Sequence, residues 1–266
     1  MKIVVKIGGQ AAEDVAVRRD LARQIAQLRR AGHQVTVVHG GGRVLTQTLE
    51  RLGIPVQFHH GLRVTDAATR DVALMVLAGM VNKQWVAELE AQGQPALGIC
   101  GGDGGLVLAR RLTARAGNGT KDLGFVGRPR KVSTRLLEMA FQGRMVPVVA
   151  SLALGPGGEY FNVNADDLAA ALATALKADR LLYLTESGGV WDAERRLLPV
   201  VKRDEIPSLI RREVVRDGMI PKLRSCARTL RHDVGEIDIL APNAPNGLVR
   251  TVISREPVGT RIVKHT

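Results

Sequence analysis

Two β-branched apolar runs that each end at a glycine cluster constrain this chain more than any other feature. Lys2–Ile7 ends at Gly8-Gly9, and Gln34–His39 ends at Gly40-Gly41-Gly42. Short runs rich in Val and Ile and bounded by glycine read as buried strands. Between them, Val17, Leu21, Ile25 and Leu28 recur at helical spacing across residues 13–31, and Gly32 stops that helix. Residues 43–52 form the next expected helix, closed by Gly53. Strand–helix–strand–helix with glycine-rich loops at the strand ends is the pattern of a parallel sheet wound with helices.

The same reading continues along the chain. Ala67–Ala91 is a long, mostly apolar helix with a possible break at Gly79, and residues 94–100 form a strand. Residues 101–127 are glycine-rich loops and hairpins. Then come a helix at 131–142, a central strand at 145–151, a helix at 165–177 and a strand at Arg180–Leu184. A loop opens at Gly188-Gly189, a helix lies within 217–231, and Glu236–Leu240 is a further strand. No repeat of 20–50 residues is present. The expected architecture is α/β, an αβα sandwich with a mainly parallel sheet. It forms one domain over 1–266, with lobes 1–155 and 156–266 sharing the sheet and meeting near Pro156-Gly157-Gly158.

Bulk properties exclude several classes. The apolar runs at 72–81 and 145–153 fall short of the roughly 18 residues a membrane span needs. The opening Lys2-Ile3-Val4-Val5-Lys6 has no signal-peptide pattern. Two cysteines, Cys100 and Cys226, make no disulfide framework and have no metal-ligand spacing, so a reduced, cytoplasmic setting is expected. The net charge is +12, from 29 Arg and 9 Lys against 26 acidic residues, which suits anionic partners. Aromatics make up only 3%, too few to stack the bases of a single-stranded nucleic acid.

Four polar or glycine-rich clusters follow expected strands: residues 6–9, 39–42, 162–166 and 185–189. Ligands bind beyond the carboxyl ends of strands in such sheets. Glycine there lets backbone N–H groups approach an anion, and a following helix adds its positive end. There is no GxxxxGK[ST] loop, no spaced GxGxxG, and neither HRD nor DFG. Phosphate chemistry, if present, uses another architecture.

KIGG at 6–9, HGGG at 39–42, GLRVTD at 61–66, AGMVNK at 78–83, NVNADDLA at 162–169, LTESGGV at 184–190 and DGMIPK at 217–222 together resemble the N-acetylglutamate kinases of the amino acid kinase superfamily. The resemblance runs in order over essentially the whole chain. It implies phosphoryl transfer from ATP to the side-chain carboxylate of N-acetyl-L-glutamate in arginine biosynthesis, with 1–155 as acceptor lobe and 156–266 as nucleotide lobe. Phosphoryl transfer is catalysed mainly by positioning and electrostatic stabilisation. By the resemblance, Lys6 meets the transferred phosphoryl group and Lys222 the leaving ADP side. Asp166 holds the two ammonium groups together. Backbone N–H groups of Gly8, Gly9, Gly41 and Gly42 cradle phosphoryl and acceptor oxygens.

Arg63, with its two-pronged guanidinium, together with Asn162 and Asn164, is expected to bind the acceptor. The nucleotide is expected over Glu186, Ser187, Gly188, Gly189, Val190 and Trp191, and over Val214, Val215 and Arg216. Magnesium rides on the ATP phosphates, because no carboxylate cluster suits a metal cage. His39 reads as a packed strand-end residue rather than a catalyst.

Two rivals stand beside this expectation. One is a kinase for an aminoadipate or glutamate linked to an acidic carrier protein, which the +12 charge favours. The other is a non-catalytic basic ligand- or nucleic-acid-binding protein, against which Lys6, Asp166 and Lys222 argue. The resemblance also implies a homodimer that arginine does not inhibit; Val72, Met75, Val76 and Gly79, at helical spacing on the helix Ala67–Ala91, are the expected shared face. Neither nucleic acid nor membrane is an expected partner.

Overall fold

The computed structural model describes residues 1–8, 14–116, 119–215 and 219–264, with the backbone only at 114–116 and 119–120. The strands in chain order are β1 (Lys2–Ile7), β2 (Gln34–His39), β3 (Phe58–His59), β4 (Leu62–Arg63), β5 (Ala96–Cys100), β6 (Val107–Ala116), β7 (Gly119–Val132) and β8 (Val146–Ala150). They continue with β9 (Leu152–Leu154), β10 (Tyr160–Val163), β11 (Arg180–Leu184), β12 (Val200–Lys202), β13 (Glu236–Leu240) and β14 (Thr260–Val263).

Eight strands form one sheet in the order β12-β14-β13-β11-β1-β2-β8-β5. Every neighbouring pair is parallel except β13–β14, so the expected mainly parallel sheet is present. β6, β7, β9 and β10 close on one another into a small barrel, and β3 pairs with β4 in a hairpin. Pro156–Gly158 is the turn between the antiparallel strands β9 and β10.

Alternation along β1 builds a core on each side. Ile3, Val5 and Ile7 face one side, with Leu21, Ile25 and Leu28 of helix Val15–Arg30. Val4 faces the other, with Leu168 and Leu172 of helix Ala165–Leu176. Burying each such Leu contributes roughly 1.5–3 kcal/mol. Lys6 keeps phase with Val4, which turns it toward the start of helix Ala165–Leu176. That start is fixed by Asn164, whose side-chain oxygen accepts from the N–H groups of Asp166 (2.9 Å) and Asp167 (3.1 Å). Lys177, at φ +50, ends the helix in the left-handed region.

Several sequence expectations shift. The helix expected at 131–142 runs only over Arg135–Gln142, because Lys131 and Val132 belong to the hairpin strand β7. The helix Ala67–Ala91 is not interrupted at Gly79; it winds as a π-helix over Leu74–Val81 instead. By length and composition this helix could cross a membrane. Here it lies on the protein, with Val72, Val76, Leu77, Val81, Trp85 and Leu89 buried. Val72 and Val76, expected on a dimer face, therefore belong to the protomer's own core, at 4% exposure each. Met75, at 62%, does face outward. The helical spacing predicted this stripe, but the packed side of the helix holds two of its members.

Candidate active site

Because β1, β2, β8 and β11 are parallel, their carboxyl ends share one edge of the sheet. That edge carries Gly8, Gly40, Ser151 and Thr185. On it, Lys6 Nζ stands 2.8 Å from Asp166 Oδ1, and Lys222 Nζ, from helix Met219–Thr229, stands 2.5 Å from Asp166 Oδ2. One carboxylate thus holds two ammonium groups drawn from the two halves of the chain. The side chains are 12%, 11% and 23% exposed for Lys6, Lys222 and Asp166, so solvent screens them little. Burial alone would raise the Asp166 carboxyl, but the Lys6 and Lys222 charges outweigh it and hold the group below its ordinary value.

A cavity of about 240 Å³ adjoins the clamp. It brings together Lys6, Gly8, Gly41, Arg63, Asn162 and Asn164, all named from the sequence, and adds Ser151 and Leu62. Gly41 has φ +153 and caps helix Gly42–Arg51; a Cβ there would come within 2.8 Å of Leu77 Cδ2. No side chain caps that helix, so its first N–H groups are left for an anion. A Cβ on Gly8 would overlap the Lys6 ammonium. At Gly41 both the positive φ and the approach of Leu77 favour glycine; at Gly8 a side chain would have to displace the Lys6 ammonium.

Arg63 lies at the end of β4, buried, with its guanidinium 4.8 Å from the Phe58 ring centroid. Nη2 donates to Gly42 O (2.9 Å) and Thr46 Oγ1 (2.7 Å), while buried Nη1 has no hydrogen-bond partner among the described residues. An unpartnered buried donor of this kind is costly unless a ligand meets it. Asn162 donates from Nδ2 to Thr65 Oγ1 at 3.4 Å, a long bond that a ligand can replace. Asn164 lines the cavity, but its oxygen is committed to the helix cap.

His39 is fully buried and held neutral, its pKa pushed down by burial to about 4. Nδ1 donates to Gly40 O at 2.7 Å, and Nε2 accepts from Asn82 Nδ2 at 3.1 Å. Asn82 Nδ2 also stands 2.9 Å from Val148 O and 3.2 Å from Ile99 O, so its two hydrogens are shared among three acceptors. The helix Ala67–Ala91 thereby ties β2, β5 and β8 together below the glycine turn. This hub falls in the AGMVNK motif, but nothing in the sequence marks Asn82 as its centre.

The expected nucleotide segment follows β11. Gly188, at φ +65, packs on Ala241, and a Cβ on Gly189 would strike Leu197 and Thr260. Val190 and Val215 are buried, and the Val190 N–H donates to Thr260 Oγ1 at 2.7 Å. Glu186 pairs with Arg43 at 3.5 Å. Trp191 is 44% exposed and donates from Nε1 to Ser187 O. Val214 lies half-buried beside Val215. The segment is thus held by packing that itself demands glycine. Gly9 and Arg216 lie outside the described residues.

Among the described residues no group of three His, Cys, Asp or Glu could hold a metal ion, and both Asp166 oxygens are taken by lysines. The described residues form no protein cage for a cation.

Residues 1–240 match the amino acid kinase family. The acetylglutamate kinase of Koribacter versatilis is 46% identical over 263 residues, covering 99% of each chain. That of Acidobacterium capsulatum is 45% identical over 263 residues with the same coverage. Among solved structures, N-acetylglutamate synthase from Neisseria gonorrhoeae, complexed with coenzyme A and N-acetyl-glutamate, superposes with a TM-score of 0.87 at 26% identity. The match covers all of this chain, which spans 60% of the synthase chain's length.

Proposed function

The chain belongs to the amino acid kinase family, and we propose that it moves the γ-phosphoryl group of ATP onto the side-chain carboxylate of N-acetyl-L-glutamate, a step of arginine biosynthesis. The observation that carries this reading is the Lys6–Asp166–Lys222 clamp beside a cavity lined by Arg63. In the reaction a carboxylate oxygen attacks the γ-phosphorus, a new O–P bond forms, and the bond to the bridging oxygen of ADP breaks. The nucleophile carries no proton, so no general base is required. Asp166, saturated by two ammonium groups, is an organiser rather than a base.

Lys6 stabilises the transferred phosphoryl group and Lys222 the charge growing on ADP. The N–H groups of Gly8, Gly41 and Gly42, with Gly9, cradle phosphoryl and acceptor oxygens. Arg63 receives a carboxylate of the acceptor, Asn162 its carboxylate or acetamido group, and Asn164 contributes its free amide. The nucleotide lies over residues 186–191 and 214–216. Val190 and Val215 serve there by anchoring their segments, since their side chains are buried. Magnesium enters with ATP as part of the substrate, coordinated by phosphate oxygens. Residues 1–155 form the acceptor lobe and 156–266 the nucleotide lobe. The proposed assembly is a homodimer and the proposed compartment the cytoplasm, in keeping with two free, buried cysteines. Met75 and Met80, exposed on the helix Ala67–Ala91, supply the apolar part of the dimer face.

ADP release should be measured with N-acetylglutamate, free glutamate, aminoadipate and a carrier-linked aminoadipate supplied separately. Turnover with N-acetylglutamate alone is expected. Turnover only with a carrier-linked amino acid would favour the rival that the +12 charge suits. No turnover with any acceptor would refute the reading.

A further inference from the structure

We propose that Tyr183 is the positioning residue of the lysine clamp, a wall against which Lys222 and Asp166 are set. The proposal rests on the phosphoryl-transfer reading above. Tyr183 lies on β11, directly beside Lys6 of β1 in the parallel register, and its side chain is fully buried. Its ring faces the Lys222 ammonium, with Nζ 4.9 Å from the centroid. Its hydroxyl donates to Asp166 O at 3.3 Å. One side chain therefore meets two members of the clamp and neighbours the third.

The chemistry explains why an aromatic stands there. Lys222 reaches the site on a flexible four-carbon stem, and Asp166 alone leaves the ammonium free to pivot about one short contact. The negative face of an aromatic ring attracts a cation and, being rigid, fixes the direction of approach. A buried tyrosine also needs a partner for its hydroxyl, and Asp166 O supplies it. The hydroxyl thus ties β11 to the first turn of helix Ala165–Leu176, the turn that carries the bridging carboxylate. An aliphatic residue at 183 would fill the core but would hold neither lysine nor helix.

The test compares Tyr183→Leu, Tyr183→Phe and Leu181→Ala. Leu181 lies two residues earlier on the same face of β11, fully buried, and serves as a control for general loosening. Steady-state kinetics should show kcat of Tyr183→Leu lowered about tenfold, with KM for ATP and acetylglutamate within about twofold. Tyr183→Phe, which keeps the ring, should retain at least about half of wild-type kcat. Leu181→Ala should lower Tm while leaving kcat within about twofold.

Tyr183→Met replaces the leucine variant if that one does not fold. In the unliganded protein, the ε-methylene protons of Lys222 should show a ring-current shift that Tyr183→Phe keeps and Tyr183→Leu loses. An unchanged kcat in the leucine variant would overturn the proposal. So would an equal loss of kcat in Leu181→Ala, or a Lys222 resonance indifferent to residue 183. Inactivity of the wild-type enzyme would strike the phosphoryl-transfer reading instead, and the resonance would still decide whether Tyr183 sets the lysine.

Discussion

Replacing Asp166 with Asn keeps the shape of the clamp and removes its charge. In the native site each lysine has its own carboxylate oxygen, at 2.8 and 2.5 Å. A unit pair at such a separation attracts by about 6 kcal/mol at an effective dielectric of 20. The asparagine amide offers one acceptor and one donor, so one ammonium group meets an N–H instead of an oxygen. The two cations then lie within about 7 Å of each other without an anion between them, a repulsion of about 2 kcal/mol on the same scale. One lysine is expelled. The effect is the loss of one fixed donor to the transition state, about 3–4 kcal/mol, or 100–1,000-fold in kcat.

The assay is ADP release at saturating ATP and acetylglutamate, with circular dichroism to show that the fold persists. KM for acetylglutamate should stay within about threefold, because Arg63 and Asn162 are untouched. A variant with kcat within threefold of wild type would show that the two lysines keep their places unaided.

Gly8→Ala places a methyl group on the Lys6 ammonium, so kcat should fall at least about tenfold with the melting temperature nearly unchanged; normal turnover would show that the lysine yields without cost. Arg63→Ala should raise KM for acetylglutamate far more than that for ATP, and equal effects on the two would make Arg63 structural. His39 titrates at about 4 in the fold against 6.5 ordinarily, so the unfolded chain takes up its proton first as pH falls. Stability should therefore decline between pH 6.5 and 4, by about 3 kcal/mol in all, and His39→Gln should flatten that window in urea titrations. An unaltered slope in the variant would assign the acid sensitivity to other groups.

What could be read from the sequence tracks the physical strength of each signal. β1, β2, β11 and β13 match their expected bounds because each is a short run rich in Val, Ile or Leu and buried on both faces, even where β13 carries Glu236 and Asp238. β12 and β14 are short and at or near the sheet edge, and β3 and β4 have two residues each, so no periodicity announces them. The β6–β7 hairpin falls among the loops and hairpins expected at 101–127, but its second strand runs on to Val132, a bound that its weakly alternating, arginine-rich sequence does not announce. Nothing local in Lys6, Asp166 or Lys222 reveals that they meet. Only their place in motifs of a known kind did so, and the geometry then gave the reason. Tyr183 and Asn82 escaped because an aromatic in an apolar strand, or an amide in an apolar helix, looks the same whether it fills space or positions a neighbour.

The sheet's interleaved strand order bears on how the chain acquires its shape. β1 sits in the middle of the sheet, yet one of its two neighbours, β11, is about 180 residues further along. β14 is inserted between β13 and β12, and pairs with both. A nascent chain emerging from the ribosome can join β1 to β2 early. It must then leave the other margin of β1 open until β11 arrives, and the margin of β13 open until Thr260–Val263 arrives. Pairing across such sequence separations is slow, and open margins invite association with other chains. Completion of the β13 side of the sheet is thus deferred until late in synthesis, and a chain cut short before β14 would keep β13 on β11 but leave its other edge, at Ile237 and Ile239, unpaired.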